Sequence, residues 1–460
     1  MKKIIAMLLA LVMVLGLVAC AAKTETPAAE TPAAETPAAE TPAAEEPAAE
    51  EPAAETPAAS GKVYYLNFKP EFDEALKQLA SDYTAKTGVE VKVVTAASGT
   101  YSDTLTAEMA KSDAPTIYNI GNMSGLNDWD EYALDLTDTA IAKELTTDAF
   151  NLYNAAGELK AIPNCYESFG IIVNTKLLAD AGHSVDEIKD FASLKAVADD
   201  IHSRAAELGF DAFSAAGLDG SSSWRFSGHL ANMPLYYEFR DDNVTEQPAT
   251  ITGAYLDNFR NIWDLYVNDA ADDPTALSTS TKDESCAEFK EGKAVFYQNG
   301  TWEYSDLIAS GMTDDQLQMI PIYCGVDGEE NAALCSGTEN CWAINSKASE
   351  EDIQASIDFL VWLVTDPDAS ATYVEQLGGV PFKGCPASSN KFVADGNALL
   401  AEGKYPVTWA FNYTPNVDSW RATVVTALAA YSADQTDANW EQVVSAFVDG
   451  WAIEYNVVNG

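Results

Sequence analysis

From residue 62 onward the chain switches repeatedly between two hydrophobic periods. Val63–Phe68 is a short apolar run that predicts a strand. Phe72, Ala75, Leu76, Leu79, Ala80 and Tyr83 then recur three and four positions apart, the mark of one helix face over Glu71–Lys86, and Gly88 supplies the stop. Val89, Val91 and Val93 alternate with Glu90 and Lys92, which predicts a second strand. A helix over Tyr101–Lys111 and a strand over Pro115–Ile120 follow. Further on, Ile171–Asn174 reads as a strand and Lys176–Ala181 as a helix start. Helical patterns recur near 193–207, 253–267, 349–364, 418–432 and 438–454, and strand-like runs near 294–298, 317–323 and 342–345. Strands alternating with helices predict α/β lobes with helices covering each sheet, and two lobes fit the length.

The first 61 residues follow neither period. Met1-Lys2-Lys3 is a short positive segment, and Ile4–Ala19 is apolar and uncharged, the pattern of a secretory signal over 1–19. Leu17-Val18-Ala19-Cys20 resembles the lipobox of bacterial lipoproteins, which implies cleavage before Cys20 and lipid on its thiol. Across 20–61 a five-residue repeat places Pro at 27, 32, 37, 42, 47, 52 and 57 among Ala, Thr and Glu. Proline at that interval prevents a stable helix, and the segment has nothing to bury. It reads as an extended stalk, on the order of 100 Å for about 40 residues. Such a stalk lifts a globular body off a membrane, and its length suits the thick wall of a Gram-positive surface.

Charge narrows the partners. The chain holds 71 acidic and 26 basic residues, a formal −45. Nine Glu and three Lys in the first 60 residues leave −39 on the remainder. A body that acidic repels nucleic acid and anionic lipid. With 47% hydrophobic residues the body has ample material for a core.

Several segments, in order, carry a family likeness. They are Tyr83–Val91 within the first helix and strand; Ile162–Gly170 leading into Ile171–Asn174; Phe289–Trp302, the most distinctive; Trp342–Asn345; and Gly379-Val380-Pro381. Over 62–460 the chain resembles the extracellular solute-binding proteins of bacterial ABC importers, in the carbohydrate-binding branch with the maltodextrin-binding proteins. The likeness implies an α/β two-lobe clamp of the type II periplasmic-binding-protein kind. Its ligand cleft lies between the lobes, and the chain crosses the hinge three times. Lobe one is then 62–168 plus 340–382, and lobe two 169–339 plus 383–460. Ligand binding would shift an open–closed equilibrium.

A pyranose offers apolar faces and an equator of hydroxyls, which aromatic rings and planar polar groups match. Trp302, after Asn299-Gly300, is the leading stacking candidate by likeness, with Glu303 beside it. Glu167 matches an acidic position at the first crossing. Lys69 and Glu71 end the first strand, Tyr101 follows the second, and Asn119 and Asn122 flank the end of the third. Trp224 and Arg225 sit after the Gly/Ser-rich loop 217–223, and Trp409 precedes Asn412 and Tyr413. Trp420, with Arg421 next to it, matches a sugar-stacking position of the family. Each residue also has a bland role available: core packing for the tryptophans, helix starts or turns for Glu71, Asn119 and Asn122, a hinge ion pair for Glu167.

Cys20 apart, six cysteines remain: Cys165, Cys286, Cys324, Cys335, Cys341 and Cys385. Outside the cell they are either three disulfides, with Cys335–Cys341 and Cys165–Cys385 as pairs to consider, or buried thiols. His183, His202 and His229 are scattered and suggest no metal site. Asp269, Asp272 and Asp273 lack EF-hand spacing and read as a solvated loop. Neither a P-loop nor a G-x-S-x-G elbow is present. The expectation is a monomeric, lipid-anchored protein without enzyme activity or cofactor, handing a neutral oligosaccharide to a membrane permease. The alternatives are a polyamine or other cationic solute in the same clamp, and a surface glycoside hydrolase.

Overall fold

A computed structural model describes residues 60–460 except Ser98, Ala149, Thr245 and Asn340. The signal segment, Cys20 and most of the proline-rich stalk lie outside the described residues. Twelve strands run in chain order among those described: β1 Lys62–Asn67, β2 Glu90–Thr95, β3 Ile117–Ile120, β4 Leu152–Tyr153, β5 Leu159–Pro163, β6 Glu167–Asn174, β7 Asp211–Phe213, β8 Ala294–Gly300, β9 Leu317–Ile320, β10 Ala332–Gly337, β11 Cys341–Ile344 and β12 Tyr405–Thr408.

They form two sheets. The first has the order β2-β1-β3-β11-β5-β4 and the second β12-β10-β6-β8-β7, with β9 pairing β6. In the first sheet β1 pairs in parallel with both β2 and β3. Parallel neighbours require crossovers, which the helices Asp73–Thr87 and Tyr101–Met109 provide. Gly88 ends the first of these at φ +79°, a left-handed position that suits glycine. The buried faces of that helix, of β1 and of the helices Glu350–Thr365 and Pro367–Leu377 share one core. A larger core fills the second lobe, where Val417–Ala433 and Asp437–Asn459 pack side by side.

The chain passes between the sheets at 164–166, between β10 and β11, and between the helices ending at Leu377 and beginning at Lys391. Sequence patterning misses β4, β5, β7, β10, β12 and the helices Met123–Trp129, Asn232–Asp242, Lys282–Lys290, Tyr304–Ala309 and Lys391–Ala401. β10 reads Ala-Ala-Leu-Cys-Ser-Gly and is covered on both faces, so it has no alternation to detect.

All six cysteines among the described residues are free thiols. Cys335 and Cys341 lie on strands of different sheets, and the Cys385 thiol points to the Val364 carbonyl at 3.6 Å, so neither considered pair forms. Asp269 is buried rather than solvated. No helix among the described residues is long and apolar enough to cross a membrane.

Candidate functional site

Central to the site is the beginning of β6. Glu167 pairs with Gly337 of β10, and Phe169 pairs with Cys335 of β10 and Gly300 of β8. The two glycines serve the same purpose on either side. A Cβ on Gly300 would stand 2.2 Å from the six-membered ring of Trp302, and one on Gly337 would stand 2.5 Å from Trp409. Each indole therefore lies directly against main chain, a close approach only glycine allows. The Trp409 Nε1–H donates to the Cys335 carbonyl at 3.2 Å.

Between them sits His229, on a π-helical turn, Arg225–Leu230. Its ring stacks on Phe169 at 4.9 Å and 19°. Trp409 lies at 4.7 Å, Phe411 at 5.3 Å, Trp302 at 5.4 Å and Trp224 at 5.5 Å. Trp224 is fixed by donating its Nε1–H to the Ser221 carbonyl at 2.8 Å. Burial, with the Arg421 and Lys69 charges, holds the imidazole pKa well below its usual value, so the ring is neutral. His229 carried no signal in the sequence beyond its place five residues after Trp224.

Charged groups around this wall are held in ion pairs, with Lys69 shared by two carboxylates. Lys69 Nζ lies 2.7 Å from Glu167 Oε1 and 3.1 Å from Glu71 Oε1. Side chains of Lys69 and Glu167 are 7% and 8% exposed, so this ion pair between the two sheets is desolvated. Burial alone would lower the Lys69 pKa, but the two carboxylates outweigh it and keep the ammonium charged. Asn67 fixes the Lys69 backbone from both sides, accepting from its N–H at 3.1 Å and donating to its carbonyl at 2.7 Å. Lys282 Nζ stands 3.4 Å from buried Glu303, and Arg421 Nη2 stands 3.3 Å from Glu339. Arg421 also lies over the Phe411 ring at 5.0 Å and against the backbone of Gly228.

The expected site residues thus divide. Trp302, Trp224 and Trp409 converge on one aromatic wall; Glu167, Lys69, Glu71, Glu303 and Arg421 form the ionic groups described above. Arg225 is wholly buried, donating to the carbonyls of Gln298 and Ala215 and to the hydroxyls of Ser222 and Ser285 at 2.6–3.3 Å. It anchors the π-turn from beneath. Trp420 is also wholly buried, its Nε1–H on the Phe447 carbonyl at 3.0 Å and its ring edge-on to Phe447 and Trp451. Tyr101 accepts from the Asn119 N–H at 2.7 Å and donates to the Leu66 carbonyl at 3.2 Å, tying β3 to β1. Asn119 is buried next to Tyr65. Asn122 caps the helix Met123–Trp129 by accepting from the Gly125 N–H at 2.9 Å. His229, Phe169, Phe411, Lys282 and Glu339 join this arrangement and were not among the residues expected from the sequence.

Cys286, Glu303 and Asp306 bring ligand-type atoms within 4.8 Å of one another, the one such grouping among the described residues. Lys282 on Glu303 and Lys290 on Asp306 already supply positive charge there. A cavity of about 480 Å³ opens elsewhere on lobe one, along Thr137, Leu145, Asp148 and Tyr153. It has neither the aromatic wall nor the clustered charge of the site between the sheets.

Residues 78–401 match the model of the family described as bacterial extracellular solute-binding protein. Among solved structures, the solute-binding protein RafE in complex with raffinose superposes with a TM-score of 0.67 at 16% identity, over 87% of this chain and 100% of that one. A chitin oligosaccharide binding protein gives 0.67 at 18% identity, with the same coverage. A sugar transporter from Bacillus licheniformis in complex with stachyose gives 0.62 at 14% identity, over 85% of this chain and 100% of that one. These likenesses establish the two-lobe fold. No curated protein sequence matches the chain.

Proposed function

Because the chain belongs to the bacterial extracellular solute-binding protein family, we propose that it captures a neutral oligosaccharide between its lobes and delivers it to the permease of an ABC importer. One observation carries the choice of ligand: a wall of three tryptophans stands beside carboxylates that each already have a cation. Glu167 and Glu71 have Lys69, Glu303 has Lys282, and Glu339 has Arg421. A polyamine would need unmatched carboxylates facing aromatic rings. Flat apolar rings beside polar groups already held in ion pairs suit a neutral sugar face and its hydroxyls. The raffinose, chitin oligosaccharide and stachyose named for the structural relatives support the same class.

In this reading Trp302 stacks on a sugar ring, Trp224 and Trp409 border it, and Glu303, Glu167, Lys69 and Glu71 supply polar groups for its hydroxyls. The protein binds and releases its ligand unchanged. Cys20 carries the lipid and the stalk holds the body outside the cytoplasmic membrane. The test is calorimetry on the full chain with raffinose, stachyose, N-acetylchitotriose, maltotriose, xylotriose and spermidine, followed by analysis of the sugars for breakdown. Saturable binding of an intact oligosaccharide at about micromolar affinity or tighter, weakened at least tenfold by Trp302→Ala, is the expected result. Spermidine binding alone, or cleaved sugar, overturns it.

A further inference from the structure

We propose that His229 and Arg421 together read a hydroxyl pair of the captured sugar, so that the aromatic wall contains its own hydrogen-bonding centre. The inference rests on the capture reading above. His229 is only 4% exposed, and its Nδ1 is buried with no hydrogen-bond partner. Arg421 places Nη2 on Glu339, yet its Nε is also buried without a partner. Leaving one such group unpaired is unfavourable, because it loses its hydrogen bond to water and gains none in return. A phenylalanine would fill the space between Phe169, Trp224, Trp302, Trp409 and Phe411 without that penalty.

The two unpaired groups are neighbours. Arg421 lies against Gly228, adjacent to His229, where a Cβ would stand 2.5 Å from Nη2. Both side chains also flank Phe411, at 5.3 Å and 5.0 Å. The buried neutral imidazole keeps one lone-pair nitrogen and one N–H, whichever tautomer it adopts. The Arg421 Nε–H is a donor only. A sugar hydroxyl donates and accepts at once, so adjacent hydroxyls on one ring satisfy both groups. A cation cannot satisfy the Arg421 donor.

The π-turn explains how the ring reaches this position. A wider turn displaces side chains from ordinary helical register, and such turns recur at functional sites. Arg225, buried beneath with its four hydrogen bonds, holds the turn in place.

The test uses the full chain and whichever of raffinose, stachyose, N-acetylchitotriose, maltotriose or xylotriose binds the wild type. His229→Phe keeps the ring and removes both nitrogens. The expected result is binding weakened roughly threefold to tenfold, with a cooperative thermal transition retained. Wild-type affinity in His229→Phe overturns the proposal and leaves the capture reading standing. Where this variant fails to fold, ¹⁵N-histidine spectra of the wild type decide, since the chain has only three histidines. A ring-nitrogen shift of the buried neutral histidine on sugar titration supports the proposal, and an unmoved signal overturns it. Absence of binding by every sugar overturns the capture reading and this inference with it.

Discussion

Replacing Gly300 with alanine tests whether the position of Trp302 depends on bare backbone beneath it. Gly300 has φ −111° and ψ −180°, extended values that any residue adopts, so alanine brings no backbone strain. The penalty is steric alone. The new Cβ would lie 2.2 Å from Cη2 and Cζ3 of the indole. Carbon atoms settle about 3.5–4.0 Å apart, so the ring must retreat by roughly 1.3 Å or more. That retreat disturbs its contacts with Phe169 at 6.3 Å, His229 at 5.4 Å and Trp224 at 5.6 Å. Such overpacking costs about 1–3 kcal/mol of stability. Displacing an aromatic platform loses about 1–2 kcal/mol of binding, roughly a fivefold to thirtyfold weaker complex. Calorimetry on Gly300→Ala, Trp302→Ala and the double variant forms a cycle. If alanine acts through the indole, it has no further effect on binding once Trp302 is removed. Wild-type affinity together with an unchanged near-ultraviolet circular dichroism spectrum for Gly300→Ala would refute the reasoning, because the ring would not have moved.

Lys69→Met removes the cation from buried Glu167, whose carboxyl pKa burial already pushes up, and leaves it without its partner. Thermal unfolding should show a loss of about 3–5 kcal/mol, largely restored by adding Glu167→Leu. Glu288 provides a pH test: burial pushes its carboxyl up to about 7, with Asp272 beside it raising it further and the Ala215 N–H, donated at 2.8 Å, opposing. A folded-state value above the unfolded one means that this group's contribution is fully present below about pH 4.3 and is lost as pH rises through about 7. Glu288→Gln should therefore raise the melting temperature at pH 8 and give no gain at pH 4; an equal effect at both would show that the carboxyl does not titrate there.

Much of the framework was legible in the chain. Val89, Val91 and Val93 alternate because one face of β2 packs on the core, and Gly88 follows its helix because a left-handed cap there excludes other residues. Asn122 and Trp420 show the limit. Both were candidates for ligand, yet Asn122 is engaged as a helix cap and Trp420 is enclosed by Phe447 and Trp451. Nothing local distinguishes Trp420 from Trp409, since both are tryptophans beside polar residues. His229 shows the converse, a residue without any motif that lies in the middle of the aromatic wall.

By itself, then, the sequence determined the strand–helix alternation, the acidic charge, the uncharged apolar run at 4–19, the five-residue proline repeat, and the family likeness over 62–460. These depend on neighbours along the chain, where spacing alone sets which face is apolar. Only the tertiary structure decided which aromatic rings share a wall and which carboxylate meets which cation. Phe169, Trp224, His229, Trp302, Trp409 and Phe411 come from four separate stretches, and Lys69 meets Glu167 across two sheets. The energy of such contacts depends on distance and desolvation in space, and neither quantity is written in local order.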